Sequence, residues 1–379
     1  MSFPPMPTGD IEVTEVLTKA DRKAFVEFPY LHYRGDPNFV PPLRADVRLR
    51  LDRDRHPYFA FAEAACFLAR RRGVVVGRIA ATVNRRHNEY HAERTGFFGF
   101  FECVREFEPA RALCRAAGDW LKARGMEVMR GPASFSTNDE CGLLVEGFDG
   151  PPVVMMAYNP PWYADLLEGY GFAKAMDLLA WRTNADEASL DRWSRVAGKI
   201  MARDGLTTRS LDPKRFERDL RTVQDIYADA WALNWGFVPM TDAEIDFMGR
   251  QLKQVLIPDF CIFLMQGGKE VGFALALPDL NQIIRKLDGN LFPFGWLRLL
   301  LGKSKIRFGR ILTLGVRRDF HGKGWDSLLY HGISSNMIAR GVRSGEMSWM
   351  LETNDAMNNA MARAGAELYR RYRMYDVAL

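Results

Sequence analysis

Apolar runs broken by short polar turns occur twice along this chain in the same order. Residues 64–83 read AACFLARRRGVVVGRIAATV, and residues 259–278 read DFCIFLMQGGKEVGFALALP. At one constant offset Cys66 falls on Cys261, Val76 on Val271 and Gly77 on Gly272. Two β-rich runs joined by a tight Gly-containing or charged turn predict an antiparallel hairpin in each place. The succession after each hairpin repeats as well. A third apolar strand (GFFGFFE at 96–102, RILTLGV at 310–316) leads into residues 108–124 or 325–340, where apolar side chains recur at helical spacing. A fourth strand follows at 126–134 or 346–353. A short helix then ends at Gly171–Phe172 or Gly365–Ala366, and a closing strand comes last, DLLAWR or YRRYRMYDVA. The pattern predicts an α+β (mixed α/β) fold, with helices on a mostly antiparallel sheet and one strand–helix–strand unit at the centre of each half. It also predicts a diverged internal repeat, with domains at 1–185 and 186–379.

The halves differ in one place. Between the second hairpin and its third strand lies LNQIIRKLDGNLFPFGWLRLLLGKSKI, residues 280–306. From Leu291 to Leu301 the only charge is Arg298, and Lys303, Lys305 and Arg307 follow. The run is too short to span a bilayer, yet so much apolar surface needs an apolar partner. Three partners fit: a membrane surface contacted through 287–307, an acyl chain roofed by the segment, or the other half of the chain.

Composition narrows the function classes. Hydrophobic residues make up 47% and charged residues 26% of 379, enough for two globular cores and unlike a disordered or coiled-coil chain. The net charge of +5 sets 52 basic against 47 acidic residues, interspersed, so nucleic acid is not an expected partner. Five cysteines without a C-x-x-C pair argue against a disulfide framework or a zinc site, and no metal is expected. The opening MSFPPMPTGDIEV has no secretory pattern. The expected location is cytoplasmic, peripheral on the inner face of the membrane if the insertion lies in the interface.

The segment richest in chemistry is ILTLGVRRDFHGKGWDSLLYHGI, 311–333. A buried strand ends at Val316, and His321-Gly322-Lys323-Gly324 leads into a helix. Glycines let backbone N–H groups approach a ligand and the helix start adds partial positive charge, so the turn suits a pyrophosphate. It is neither a Walker loop nor a dinucleotide fingerprint. Taken alone, its glycines also fit a purely conformational use.

VRRDFHGKGWDSLL resembles the acetyl-CoA loop of the Gcn5-related N-acyltransferase (GNAT) superfamily, V-x-P-x-[YF]-R-G-x-G-[IL]-G-x-x-L-L. The resemblance implies two tandem GNAT-like domains. Leu314, Gly315 and Val316 would line the pantetheine of acyl-CoA, and Gly322, Lys323, Gly324 and Trp325 would cradle its phosphates. His321 stands where the motif has Gln or Arg. Asp326 stands where Gly or Ala is usual; its repulsion of phosphate would be offset by Arg317 and Lys323. The first half carries CVREFEPARAL in place of this loop, so that half is expected to be degenerate. The tyrosine with which many members reprotonate the leaving thiolate is replaced by Met361, and by Leu167 in the first half. An amine nucleophile must still lose a proton. Glu352 and Asn354, at the end of the fourth strand, fall where that fold opens its active site, with Glu352 or a bound water as the candidate base, and His321 and Tyr330 as candidates for the acid. Trp231, Asn234, Trp235 and Phe237 (WALNWGFVP) fall where the superfamily binds its acceptor. The long Gly/Pro-rich connections 130–152 and 158–163 add Asn138, Glu140, Tyr158 and Tyr163 as acceptor-site candidates, with interface packing as the alternative.

A narrower resemblance is to the bacterial tandem-domain acyltransferases that include ceramide synthases, carried by DPNFVPPL, HPYFAFAEAACFLA, GRIAA, GPASFSTNDECGLLVEGFD and NWGFVP. It implies transfer of a fatty acyl chain from long-chain acyl-CoA to the amine of a sphingoid base. The apolar insertion, 25 Phe and 17 Met suit an acyl tunnel. Two alternatives stay open: N-acetyl transfer to a small molecule or peptide, and an inactive acyl-CoA-binding adaptor, which Asp326 and Met361 favour.

Overall fold

The computed structural model describes residues 9–184 and 187–379, and of 187–193 the backbone alone. The expected domain boundary between 185 and 186 lies outside the described residues. The chain forms two compact units: Met1–Leu178 with Ile284–Trp296 and Arg370–Leu379, and Leu179–Ile283 with Leu297–Tyr369.

Along the chain, the first stretch comprises β1 (Ile11–Glu15), α1 (Lys19–His32), α2 (Arg44–Arg50), β2 (Ala62–Arg71), β3 (Val74–Asn84), β4 (Thr95–Cys103), α3 (Phe107–Lys122), β5 (Val128–Gly131), β6 (Leu143–Glu146) and α4 (Tyr163–Tyr170). β7 (Ala173–Asn184) and α5 (Glu187–Asp204) follow. The remainder comprises β8 (Leu206–Ser210), α6 (Phe216–Trp231), β9 (Cys261–Gln266), β10 (Lys269–Pro278), α7 (Gly295–Gly302), β11 (Phe308–Val316), α8 (Trp325–Ala339), β12 (Ser344–Leu351), α9 (Asp355–Arg363) and β13 (Glu367–Ala378).

Both expected hairpins form, and for the same reason. Their two-residue loops, Arg72-Gly73 and Gly267-Gly268, take positive φ at both positions. That is the turn whose twist matches the strands it joins. In the first unit β1 through β4 pair antiparallel in chain order, and β4 pairs parallel with β5 across the crossover helix α3. In the second unit β8 through β11 pair antiparallel, and β11 pairs parallel with β12 across α8. The repeat read from the hydrophobic pattern is therefore a repeat of topology.

Side-chain alternation along the strands divides the core of the first unit. Ala65, Phe67 and Ala69 of β2 face α3, where Leu113, Cys114, Ala117 and Leu121 complete the layer. Ala62, Ala64 and Leu68 face the other way, toward Phe25, Tyr58 and Phe135. In the second unit Trp325, Leu328, Leu329, Ile333 and Met337 of α8 pack on Ile262, Leu264, Ala274 and Ala276.

Two expectations change. The last strand was expected to close the second half. Instead its residues Tyr375–Ala378 pair antiparallel with β5 and Arg371–Arg373 pair with β6, so the chain's end completes the sheet of the first unit. β5 would otherwise present an open edge, and Tyr372, Met374 and Tyr375 are fully buried by the pairing. The insertion is buried at its ends, through Leu280, Ile283, Leu287 and Ile306, and exposed at its centre. α7 buries no residue, and Phe292 is 81% and Leu301 64% exposed. An eight-residue helix apolar on every side has more surface than one neighbour can cover.

Candidate active site

The parallel pair β11–β12 stays in register only from Phe308 opposite Ser344 to Ile311 opposite Met347. Beyond that point the strands part, while β11 continues along β10 to Val316. A bulge leaves Leu312 without a partner in the ladder, because Leu275 faces Thr313 and Ala276 faces Ile311. Bulges of this kind re-aim side chains and end pairing. The opening holds a cavity of about 740 Å3, walled by Ile311–Val316, Met347–Leu351, the turn around Gly322 and the end of α6.

The expected donor residues converge there. Leu314, Gly315 and Val316 line the strand side, and His321, Gly322, Gly324 and Trp325 the turn side. Gly322 and Gly324 have φ of +77 and +74, and a Cβ on either would meet only open space. These glycines satisfy backbone conformation and leave the turn uncovered. His321 Nε2 lies 2.8 Å from the Val316 carbonyl, which ties the turn back to the strand. The Trp325 ring is buried and its indole N–H donates to Asp204 at 2.9 Å. Bonds from Arg203 and that indole hold the Asp204 carboxyl down at about 2. Lys323 Nζ lies 4.8 Å from the Trp325 ring centre and 5.0 Å from that of Phe320, and Arg317 Nε donates to the Glu270 carbonyl at 3.2 Å. Neither is among the cavity-lining residues, whereas Asp326 is. Gly324 is the N-cap of α8, so Asp326 sits within the first turn rather than capping it.

The candidate acids and bases separate. Asn354 lines the cavity, but its Oδ1 accepts the Met357 N–H at 3.2 Å and caps α9. Glu352, one residue past β12, and Tyr330 do not line it. Tyr330 packs against the α8 core, and burial raises its pKa. Trp231, Asn234 and Trp235 line the cavity; Phe237 is buried, its ring 5.4 Å from Tyr227. Asn138, Glu140, Tyr158 and Tyr163 belong to the first unit. There Tyr158 donates to Asp36 at 2.7 Å and Glu140 lies 3.6 Å from Arg50. The Asn138 backbone N–H donates to Ser136 Oγ. Tyr163 is fully buried, its hydroxyl donating to Glu102 at 2.9 Å and accepting the Cys103 N–H at 2.8 Å.

Polar groups not anticipated from the sequence stand in the opening. Ser348 lines the cavity and is buried. Its Oγ donates to the Glu346 carboxylate and accepts from Arg310 Nε at 2.8 Å, and the Tyr369 hydroxyl donates to the same carboxylate. Arg310 and Glu346 are directly opposite on the paired strands. Thr313 also lines the cavity, and its buried Oγ1 has no hydrogen-bond partner. The signal was present in EMSWML, where two polar residues share one face of a buried strand.

The first unit fills its own counterpart of this opening. β4 and β5 stay in register only through Phe97 opposite Arg130. The segment after β5 then folds in, so that a Cβ on Gly99 would lie 2.0 Å from the Ala133 carbonyl oxygen. Phe135 lies against Phe100, their ring centres 5.1 Å apart. Among the described residues no group of His, Cys, Asp and Glu is placed to hold a metal ion, and no helix is long and apolar enough to cross a membrane.

No protein-family model matches the chain. It is 38% identical over 373 residues to protein YghO of Escherichia coli (strain K12), covering 96% of this chain and 94% of that protein. It is 36% identical over 381 residues to the bacterial ceramide synthase of Caulobacter vibrioides, covering 98% of each. Among solved structures, a tandem GNAT protein from the clavulanic acid biosynthesis pathway superposes with a TM-score of 0.57 at 13% identity, over 97% of this chain and 98% of that one. A GCN5-related N-acetyltransferase from Sphaerobacter thermophilus gives 0.53 at 15% identity, over 97% and 95%.

Proposed function

The chain belongs to the family of the bacterial ceramide synthase and protein YghO and has the tandem GNAT fold of an N-acyltransferase; we propose that it transfers a long fatty acyl chain from acyl-CoA to the primary amine of a sphingoid base. The observation that carries this reading is the opening between β11 and β12, where Leu312, Leu314, Trp349 and Met350 line an apolar cavity that Ser348 enters as a buried, hydrogen-bonded hydroxyl. Pockets of this size bury a drug-sized ligand.

In this reading the donor's pyrophosphate lies over Gly322–Gly324, whose backbone is uncovered, and its thioester lies along Leu314–Val316. The amine attacks the thioester carbonyl, forming the C–N bond. Donors on the bulged strand, among them the unpartnered Thr313 hydroxyl, hold the oxyanion. The C–S bond breaks and the CoA thiolate leaves. The amine's proton passes through Ser348 toward Glu346, and the thiolate takes up a proton to become CoA. Direct transfer is favoured over a covalent route because none of the five cysteines lines the cavity, and burial pushes Cys261 in this unit up to about 12. The exposed α7 with its flanking Phe292 and Phe294, next to Lys303 and Lys305, supports contact with an anionic membrane surface where both lipids reside.

An inactive acyl-CoA-binding role is the second reading, favoured by the carboxylate of Asp326 at the cavity. Lipid mass spectrometry of cells lacking the protein separates the two. Loss of N-acylated long-chain amines with build-up of the free amine supports transfer; an unchanged lipid profile removes it.

A further inference from the structure

The first unit contains a second cavity that acyl transfer does not use. Along β2, alternation turns Ala62, Ala64 and Cys66 to the side of the sheet that α1 covers, and β3 adds Ala80. Small side chains in a row leave volume that a core otherwise fills to crystal-like density. The segments above do not fill it. α1, residues 51–54 and Phe59 wall a space of about 700 Å3 over Ala64 and Cys66. The floor is apolar, with Phe25, Leu51, Phe59 and Phe135 around the two small residues. Leu17, 68% exposed, stands at the mouth.

The rim has the opposite character. Lys19, Arg22, Lys23, Arg48 and Arg53 border the cavity against two acids, Asp52 and Asp54. Arg53 donates to the Ala64 carbonyl, and Arg48 lies 3.9 Å from Glu27. Asp21 on α1 is held by Arg70 at 2.8 Å. Lys19, Arg22 and Lys23 have no ion-pair partner among the described residues, so their charge is available at the mouth.

We propose that this cavity binds a long-chain fatty acid, with its hydrocarbon chain over Ala64 and Cys66 and its carboxylate among Arg22, Lys23 and Lys19. Each half of the site selects one half of the ligand. The apolar floor gives a free phosphate or sugar nothing to bind. The cationic rim gives a neutral lipid no advantage over water. A floor one strand wide accommodates one chain better than the two of a phospholipid. A carboxylate held by paired cations makes charge-assisted hydrogen bonds, the stronger kind.

Fluorescence titration of the full-length protein with cis-parinaric acid, a polyene fatty acid, tests the proposal. Saturable enhancement is expected. The double variant Arg22→Glu/Lys23→Glu, both positions exposed on α1, weakens it about tenfold or more through loss of charge-assisted bonds. Ala64→Trp fills the floor and removes saturable binding, and the methyl ester of the probe binds about as weakly to the wild type as the acid does to the charge-reversed protein. Leu314→Trp, which narrows the cavity of the second unit, leaves the affinity unchanged, so failure here is separable from failure of acyl transfer. Thermal melts check folding, and the surface double variant decides if Ala64→Trp does not fold. Equal affinity of acid and ester, or loss of binding in Leu314→Trp alone, overturns the proposal. So does enhancement that appears only with anionic phospholipid vesicles, which would assign the rim to a membrane.

Discussion

Ser348 and Thr313 sit a few residues from where β11 and β12 part, and they differ in how they are satisfied. Ser348 Oγ has a donor on one side and an acceptor on the other. Ser348→Ala breaks the path to Glu346 and should lower kcat about 10^2-fold, the usual scale of a general acid–base contribution, with KM for acyl-CoA little changed. Steady-state kinetics over donor concentration reads both numbers. Thr313 Oγ1 instead has no partner while buried. Thr313→Val removes that group at nearly constant shape and should raise unfolding free energy by about 1 kcal/mol while lowering the acyl-transfer rate. Denaturant unfolding paired with activity measures the opposition; a variant that loses both would make the hydroxyl structural. The sequence disclosed the glycine turn at residue level because positive-φ glycines before a helix are locally encoded. The pairing of Glu346 and Ser348 on one strand face was legible in EMSWML, but their partners were not: Arg310 is brought in by strand register and Tyr369 by a strand twenty residues further along the chain.

At the scale of elements, α7 has the simplest test. Most of its apolar side chains are exposed, with Trp296 and Leu300 at 49% and 60%. Replacing Trp296 and Leu300 with Ser should leave thermal stability within about 0.5 kcal/mol, as expected of surface positions. Binding to vesicles containing anionic lipid should fall, since each buried apolar side chain contributes about 1.5–3 kcal/mol. Vesicle co-sedimentation measures the second effect and a thermal melt the first. The apolar run itself could be read from residues 291–301, but neither its helix nor its exposure, because an apolar run reads alike whether a core, a ligand or a membrane covers it. The bulge at Leu312 was equally hidden: bulges follow from how two strands must diverge, not from any residue preference in LTLG.

For the whole molecule, the hydrophobic pattern revealed the duplicated plan and its two crossover units, because both periods are local. It misassigned the last strand, since period-2 alternation says that YRRYRMYDVA is a strand and nothing about which edge it meets. Deleting residues 370–379 should therefore unfold the first unit rather than the second, by stripping Tyr372, Met374 and Tyr375 from its core. Hydrogen exchange would show protection lost in β2–β5 and kept in β9–β11. The opening is filled in the first unit and open in the second, and the proposed function accordingly assigns donor binding to the second. The most direct measurement is turnover of the purified protein with palmitoyl-CoA and sphinganine, read by mass spectrometry. The account predicts the N-palmitoyl amide with one free CoA released per amide formed, and little product from acetyl-CoA. Acetyl transfer without palmitoyl transfer, or no amide from either donor, would contradict it.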